Sequence, residues 1–127
     1  MLKPITLAVA LIGLTLTVPA AAAPGDMNVT TFLAKVNALK AKGFTAMFSS
    51  DIGALKAEAM AAAESYKARL MQERANGHPS SCPPQGTKVG SDQFIAHLES
   101  YPAASRQNTS LKQAIADLFS KRFPCTK

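Results

Sequence analysis

Tryptophan is absent from this chain, and tyrosine, histidine and cysteine each occur only twice. Without tryptophan there is no run of aromatic platforms on which nucleotide bases could stack. The basic residues Lys35, Lys40, Lys42, Lys56, Lys67, Arg69 and Arg74 are dispersed, so no nucleic acid is expected as a partner. His78 and His97 have no nucleophile or orienting carboxylate placed beside them in the sequence. Glu58 and Glu64 are not at metal-ligand spacing and no Glu-x-x-His occurs. A Gly-rich phosphate loop and a Gly-x-Ser-x-Gly elbow are both lacking. No catalytic residue, cofactor or metal is therefore assigned, and the chain reads as a binding protein rather than an enzyme.

A long apolar run is also lacking. The one at the start, Ile5 to Val18, is about 14 residues, whereas a membrane-spanning helix needs roughly 20. Lys3 precedes it and Ala20-Ala21-Ala22-Ala23 follows, which is the layout of a secretory signal peptide. Pro24 argues against cleavage after Ala23. A cut after Ala22 fits best, and Ala20 is the other option. Residues 1–22 are thus expected to be a signal peptide, and 23–127 one small helical domain in the periplasm, with no membrane span once the signal is cleaved. Removing residues 1–22 takes away one lysine and no carboxylate, which leaves a net charge of about +5. That balance suits acidic proteins, anionic membrane surfaces or cell-wall polymers, or serves solubility alone.

Export decides how the cysteines are read. Cys82 and Cys125 are the one available intramolecular pair, and in an oxidising compartment a disulfide is the preferred reading. Neither belongs to a Cys-x-x-Cys pair, and no histidine is spaced for zinc. A bridge would close a loop of about 44 residues, an upper estimate of about 4 kcal/mol in the chain-entropy picture.

The rest of the chain has helical periodicity throughout. Val29, Phe32, Leu33, Val36 and Leu39 form one stripe, capped by Asn28 and stopped by Gly43, so a helix is predicted over 29–42. A single turn follows, with Met47 and Phe48 as apolar anchors. Ser50 or Asp51 is expected to cap a long helix over 52–75 with the stripe Ile52, Leu55, Ala59, Ala62, Tyr66 and Leu70. Residues 76–91 hold three prolines and three glycines and cannot be regular. Ser91 is expected to cap a helix carrying Phe94, Ile95, Leu98 and Tyr101, closed by Pro102. Ser110, with Gln113 as capping-box partner, starts the last helix, which carries Leu111, Ile115, Leu118, Phe119 and Phe123. Asn28 and Asn108 begin glycosylation sequons, and helix capping is the preferred role for both. Met47, Met60 and Met71 read as core filler. No segment alternates as a strand would. The predicted fold is all-α, a small bundle of four main helices stapled by one disulfide.

The second half carries a more specific pattern. Ser81-Cys82-Pro83-Pro84 leads to a helix ending in Tyr101-Pro102, then a polar turn, a final amphipathic helix and the ending Arg122-Phe123-Pro124-Cys125. Across residues 81–125 this resembles the Tai and Rap immunity family of Gram-negative bacteria, small exported helical proteins that are typically disulfide-bonded. The resemblance implies a partner, a peptidoglycan amidase effector delivered by type VI secretion, and a mechanism, occlusion of its active-site groove. Two segments could protrude into such a groove, residues 83–90 and 103–109. The second carries Arg106, Gln107 and Asn108, which are the candidate partner-binding residues.

Two further expectations stand beside this one. A periplasmic stress chaperone of the HdeA type would also be small, helical and disulfide-bonded. It needs many carboxylates as an acid trigger, and eight in a basic chain make a weak switch. Met60, Ala63 and Met71 fall outside the main stripe of the long helix, which leaves a homodimer or a wider buried face open.

The exported protein should begin at Ala23 and weigh two hydrogens less than its reduced form in an intact-mass measurement. Two thiols that alkylate without prior reduction would contradict the bridge.

Overall fold

The computed structural model describes residues 23–126; the predicted signal peptide lies outside the described residues. It is all-α, with one disulfide and, among the described residues, no strand. The order is α1 (Val29–Lys42), a 3₁₀ turn (Gly43–Phe48), α2 (Ser50–Ala75), α3 (Ser91–Glu99), a short α4 (Ala103–Arg106) and α5 (Leu111–Arg122). No helix among the described residues is long and apolar enough to cross a membrane.

The helix boundaries follow local chemistry. Asn28 caps α1, its Oδ1 accepting from the Thr31 N–H at 2.8 Å. Gly43 stops α1 at φ 57° and ψ −131°, a backbone conformation open to glycine and strained for any residue with a Cβ. The cap of α2 is Ser49, one residue earlier than expected, and its hydroxyl accepts from the Asp51 N–H at 3.2 Å. Gly90 rather than Ser91 occupies the cap position of α3. Ser110 caps α5 by accepting from the Gln113 N–H at 3.1 Å. The Gln113 amide does not return the bond. It donates to Asp117 one turn on, at 3.0 Å, so the expected box is half made. Asn108 lies exposed in the turn before Ser110 and caps nothing.

The core is assembled where the helix stripes meet. Phe32, Leu33 and Val36 of α1 close against Leu55, Ala62, Tyr66 and Leu70 of α2, Phe94 and Leu98 of α3, and Leu111, Ile115 and Leu118 of α5. Phe32 meets Phe94 edge-on at 5.9 Å between ring centres, a preferred aromatic geometry. Residues 25–29 run beside the turn before α5. There the Val29 N–H donates to Thr109 O at 2.9 Å and the Leu111 N–H to Met27 O at 2.9 Å, so the starts of α1 and α5 brace each other. Gly25 makes this approach feasible. A Cβ there would lie 2.9 Å from the backbone nitrogen of Ala62, and its φ is 89°.

Residues 76–90 are irregular, as the prolines and glycines require, but they are anchored at several points. Ser81 is fully buried. Its hydroxyl meets the Tyr66 hydroxyl, which lies 3.0 Å from Ser80 Oγ, and Ser80 Oγ donates to Glu73 Oε2 at 2.6 Å. A consistent proton order runs Ser81 to Tyr66 to Ser80 to Glu73, so every hydroxyl has an acceptor. Glu73 also accepts from the Ser80 N–H at 2.9 Å and from Arg69 at 2.7 Å. The disulfide Cys82–Cys125, beside the 2.7 Å bond from the Cys82 N–H to Phe123 O, joins this segment to the end of α5.

The larger corrections concern side-chain direction. The expected anchors Met47 and Phe48 point outward, 75% and 91% exposed, as does Phe44 at 89%. Met60 and Met71 are not core filler but are 57% and 63% exposed on α2. Ile52, placed in the buried stripe, is also exposed. The core-facing side of α2 is narrow, a single row of Leu55, Ala62, Tyr66 and Leu70. Met60, Ala63 and Met71 are all exposed, so the closed core does not extend over them.

Hydrogen bonds from Ser80 first, then from Arg69, lower the Glu73 pKa from 4.5 to about 2. A depressed carboxylate contributes stability above its unfolded pKa and loses it as pH falls towards the folded value. Glu73→Gln should therefore flatten the loss of thermal stability between about pH 4.5 and pH 2. An unchanged acid slope in a melting series would contradict the assignment.

Candidate functional site

Small side chains on α2 leave a space that its neighbours do not fill. Ala59 and Ala63, one turn apart, face α1 and α3 where leucines would reach across. The result is an open apolar groove of about 680 Å³. Phe32, Val36 and Leu39 form the α1 wall, and Ile52, Leu55 and Met60 the α2 wall. Phe94 and Ile95 of α3 and Thr87 and Val89 of the preceding segment form the far side, with Ile115 and Phe119 of α5 at the base. Its volume lies within the range of ligand and segment sites, roughly 300–1,000 Å³. Lys56 is the one charged residue among its lining, and no carboxylate contributes to it.

A second polar centre joins α3 to α5. His97 Nε2 lies 2.9 Å from Ala114 O, which can only accept, so this nitrogen carries the proton. The Tyr101 hydroxyl donates to Asp117, whose other oxygen takes the Gln113 amide. Burial holds His97 below its ordinary pKa, and burial together with Asp117 raises that of Tyr101. Protons stay in place here at neutral pH, and each group acts on a neighbour in the fold. The network bolts two helices together. His78 stands apart, exposed at the end of α2. Among the described residues no group of three or more His, Cys, Asp or Glu is placed to hold a metal ion.

The two expected protrusions fare differently. Of residues 83–90, Thr87, Val89 and Gly90 line the groove. The segment 103–109 does not reach it. Arg106 is turned back onto the fold, donating through Nε to Tyr101 O at 2.9 Å and through Nη2 to Glu99 O at 2.7 Å. Those carbonyls lie at and just beyond the C-terminus of α3, where a guanidinium complements the helix dipole. Gln107 and Asn108 are exposed beside it. Periodicity alone did not mark the groove; the signal in the sequence is the Ala59/Ala63 pair, one helical turn apart and beside Met60.

Comparison of the chain with protein-family models, with curated proteins and with solved structures returned no match.

Because tryptophan is absent, one placed in the groove is a unique reporter. Ala63→Trp should emit at a shorter wavelength than indole in water and shift stability by less than about 1 kcal/mol, since the site is open. A fully solvent-like emission spectrum would contradict a groove deep enough to shelter a side chain.

Proposed function

We propose that this protein is an exported inhibitor of the immunity type, which binds a secreted peptidoglycan amidase or another periplasmic protein and occludes its active-site groove. The observation that carries this reading is the open apolar groove between α1, α2 and α3, with one charged residue in its lining. Such a surface suits an apolar segment of a partner, ringed by polar contacts at the rim. The similarity of residues 81–125 to the Tai and Rap proteins supports the same reading. The Cys82–Cys125 bridge suits an oxidising compartment. Gln107 and Asn108 remain free to hydrogen-bond in a cleft, while Arg106 supports their turn from behind.

The exposed apolar residues favour one other reading, a periplasmic chaperone. Phe44, Met47, Phe48, Met60 and Met71 are exposed without any acid-triggered opening.

A pull-down from periplasmic extract and culture medium should recover one stoichiometric amidase whose activity the protein inhibits. Ala63→Trp should weaken that complex at least about tenfold by filling the groove, and Gln107→Ala with Asn108→Ala should weaken it less. A broad set of clients, captured at neutral or at low pH, would instead establish the chaperone. An amidase bound equally well by Ala63→Trp would remove the groove from the interface.

A further inference from the structure

The 3₁₀ turn between α1 and α2 is not part of the groove, yet it carries the most exposed aromatic side chains of the protein. Phe44, Met47 and Phe48 project from six consecutive residues, and none of them is held by the core. The turn beneath them is braced by its own hydrogen bonds. The Ser49 N–H donates to Ala46 O at 3.0 Å, and Thr45 Oγ1 to Lys42 O at 2.7 Å. The Ser49 hydroxyl caps the next helix. Lys42 and Asp51, 3.9 Å apart, link the two ends of the turn. Several polar groups beneath the apolar tip are thus partnered within the protein, which lowers the cost of bringing it into a nonpolar medium.

The charge around the tip is one-sided. Lys40 and Lys42 end α1 directly before the tip, and Asp51 just after it faces Lys42, while the next carboxylates along the chain, Asp26 and Glu58, are engaged by Lys112 and by the Gly25 N–H. A second copy pairing through this tip would bring the lysines of both copies together with only the two Asp51 carboxylates, each already facing its own Lys42, to offset them. An anionic surface would be complementary, with the apolar tip below the headgroups and the long lysine side chains reaching them.

We propose that the Phe44–Met47–Phe48 tip docks the protein onto an anionic lipid bilayer, with Lys40 and Lys42 supplying the headgroup contacts. This does not rest on the inhibitor reading, since the tip does not line the groove. It adds a peripheral attachment that leaves the groove open to a partner.

The test is vesicle titration of the exported protein carrying Phe48→Trp, read by tryptophan emission. Vesicles of phosphatidylglycerol and phosphatidylethanolamine should shift the emission to shorter wavelength, and phosphatidylcholine vesicles should not. Raising salt from low to physiological strength should weaken binding severalfold. Co-sedimentation of the otherwise unaltered protein should give the same lipid preference. Phe44→Ser with Met47→Ser and Phe48→Ser should reduce co-sedimentation by at least about tenfold. Its helical circular dichroism should be unchanged, because these side chains hold nothing. Lys40→Gln with Lys42→Gln should reduce binding to the anionic vesicles by about tenfold. Equal binding to both lipids, no binding at low salt, or a tip-dependent dimer in light scattering would each overturn the proposal.

Discussion

Cys82 and Cys125 lie 43 residues apart, and their bridge closes the one long stretch of the domain that has no backbone ladder of its own. Residues 76–90 leave α2 at a glycine with φ 76° and run through three prolines before α3 begins. Nothing regular could hold such a segment. It is held by covalent linkage to the end of α5 and by the hydroxyl chain from Ser81 through Tyr66 and Ser80 to Glu73. Small domains gain most from such ties, because they bury too little surface to order a long loop by packing alone. Tyr66 serves both sides of this arrangement. Its ring stacks near Phe119, 5.3 Å away, while its hydroxyl anchors the loop.

The groove draws on that tied segment. Thr87 and Val89, five and seven residues after Cys82, form one wall, and Phe119, at the base, is also a neighbour of Tyr66. The alanines of α2 supply the remaining condition. Alanine favours the helix strongly but fills little volume, so a long helix can be stable and still leave its partners apart. The surface so formed is apolar where a core would be and open where a core would be closed. That combination is the feature on which the inhibitor proposal is built.

Apolar residues of this chain fall into three groups that composition does not separate. One group packs centrally, around Leu98 and Leu111. A second lines the groove. A third, on the turn between α1 and α2 and along the outer side of α2, faces solvent. Large exposed apolar residues are not unusual singly, but three within one short turn form a patch that asks for a partner surface.

Helix content, helix ends and the all-α class were legible because they rest on local rules. The 29–42 stripe, the Asn28 cap, Gly43 and the proline-rich break each act within a few residues of themselves. The bridge was legible because two cysteines allow one pairing. What the sequence could not decide was which side of α2 faces inward around Ile52, Met60 and Met71. Periodicity gives a stripe, but whether its margins are covered depends on neighbours brought from elsewhere, and α1 and α3 do not extend over them. The direction of Met47 and Phe48 was hidden for the same reason, since a short turn has no periodic face. Arg106 read as a free contact residue because the carbonyls of Glu99 and Tyr101 meet it only after the chain turns at Pro102. Local sequence thus determined the helices and their staple through capping, propensity and cysteine count. Only tertiary packing decided the groove and the exposed tip, because both are spaces or surfaces left between elements, and no single element encodes them.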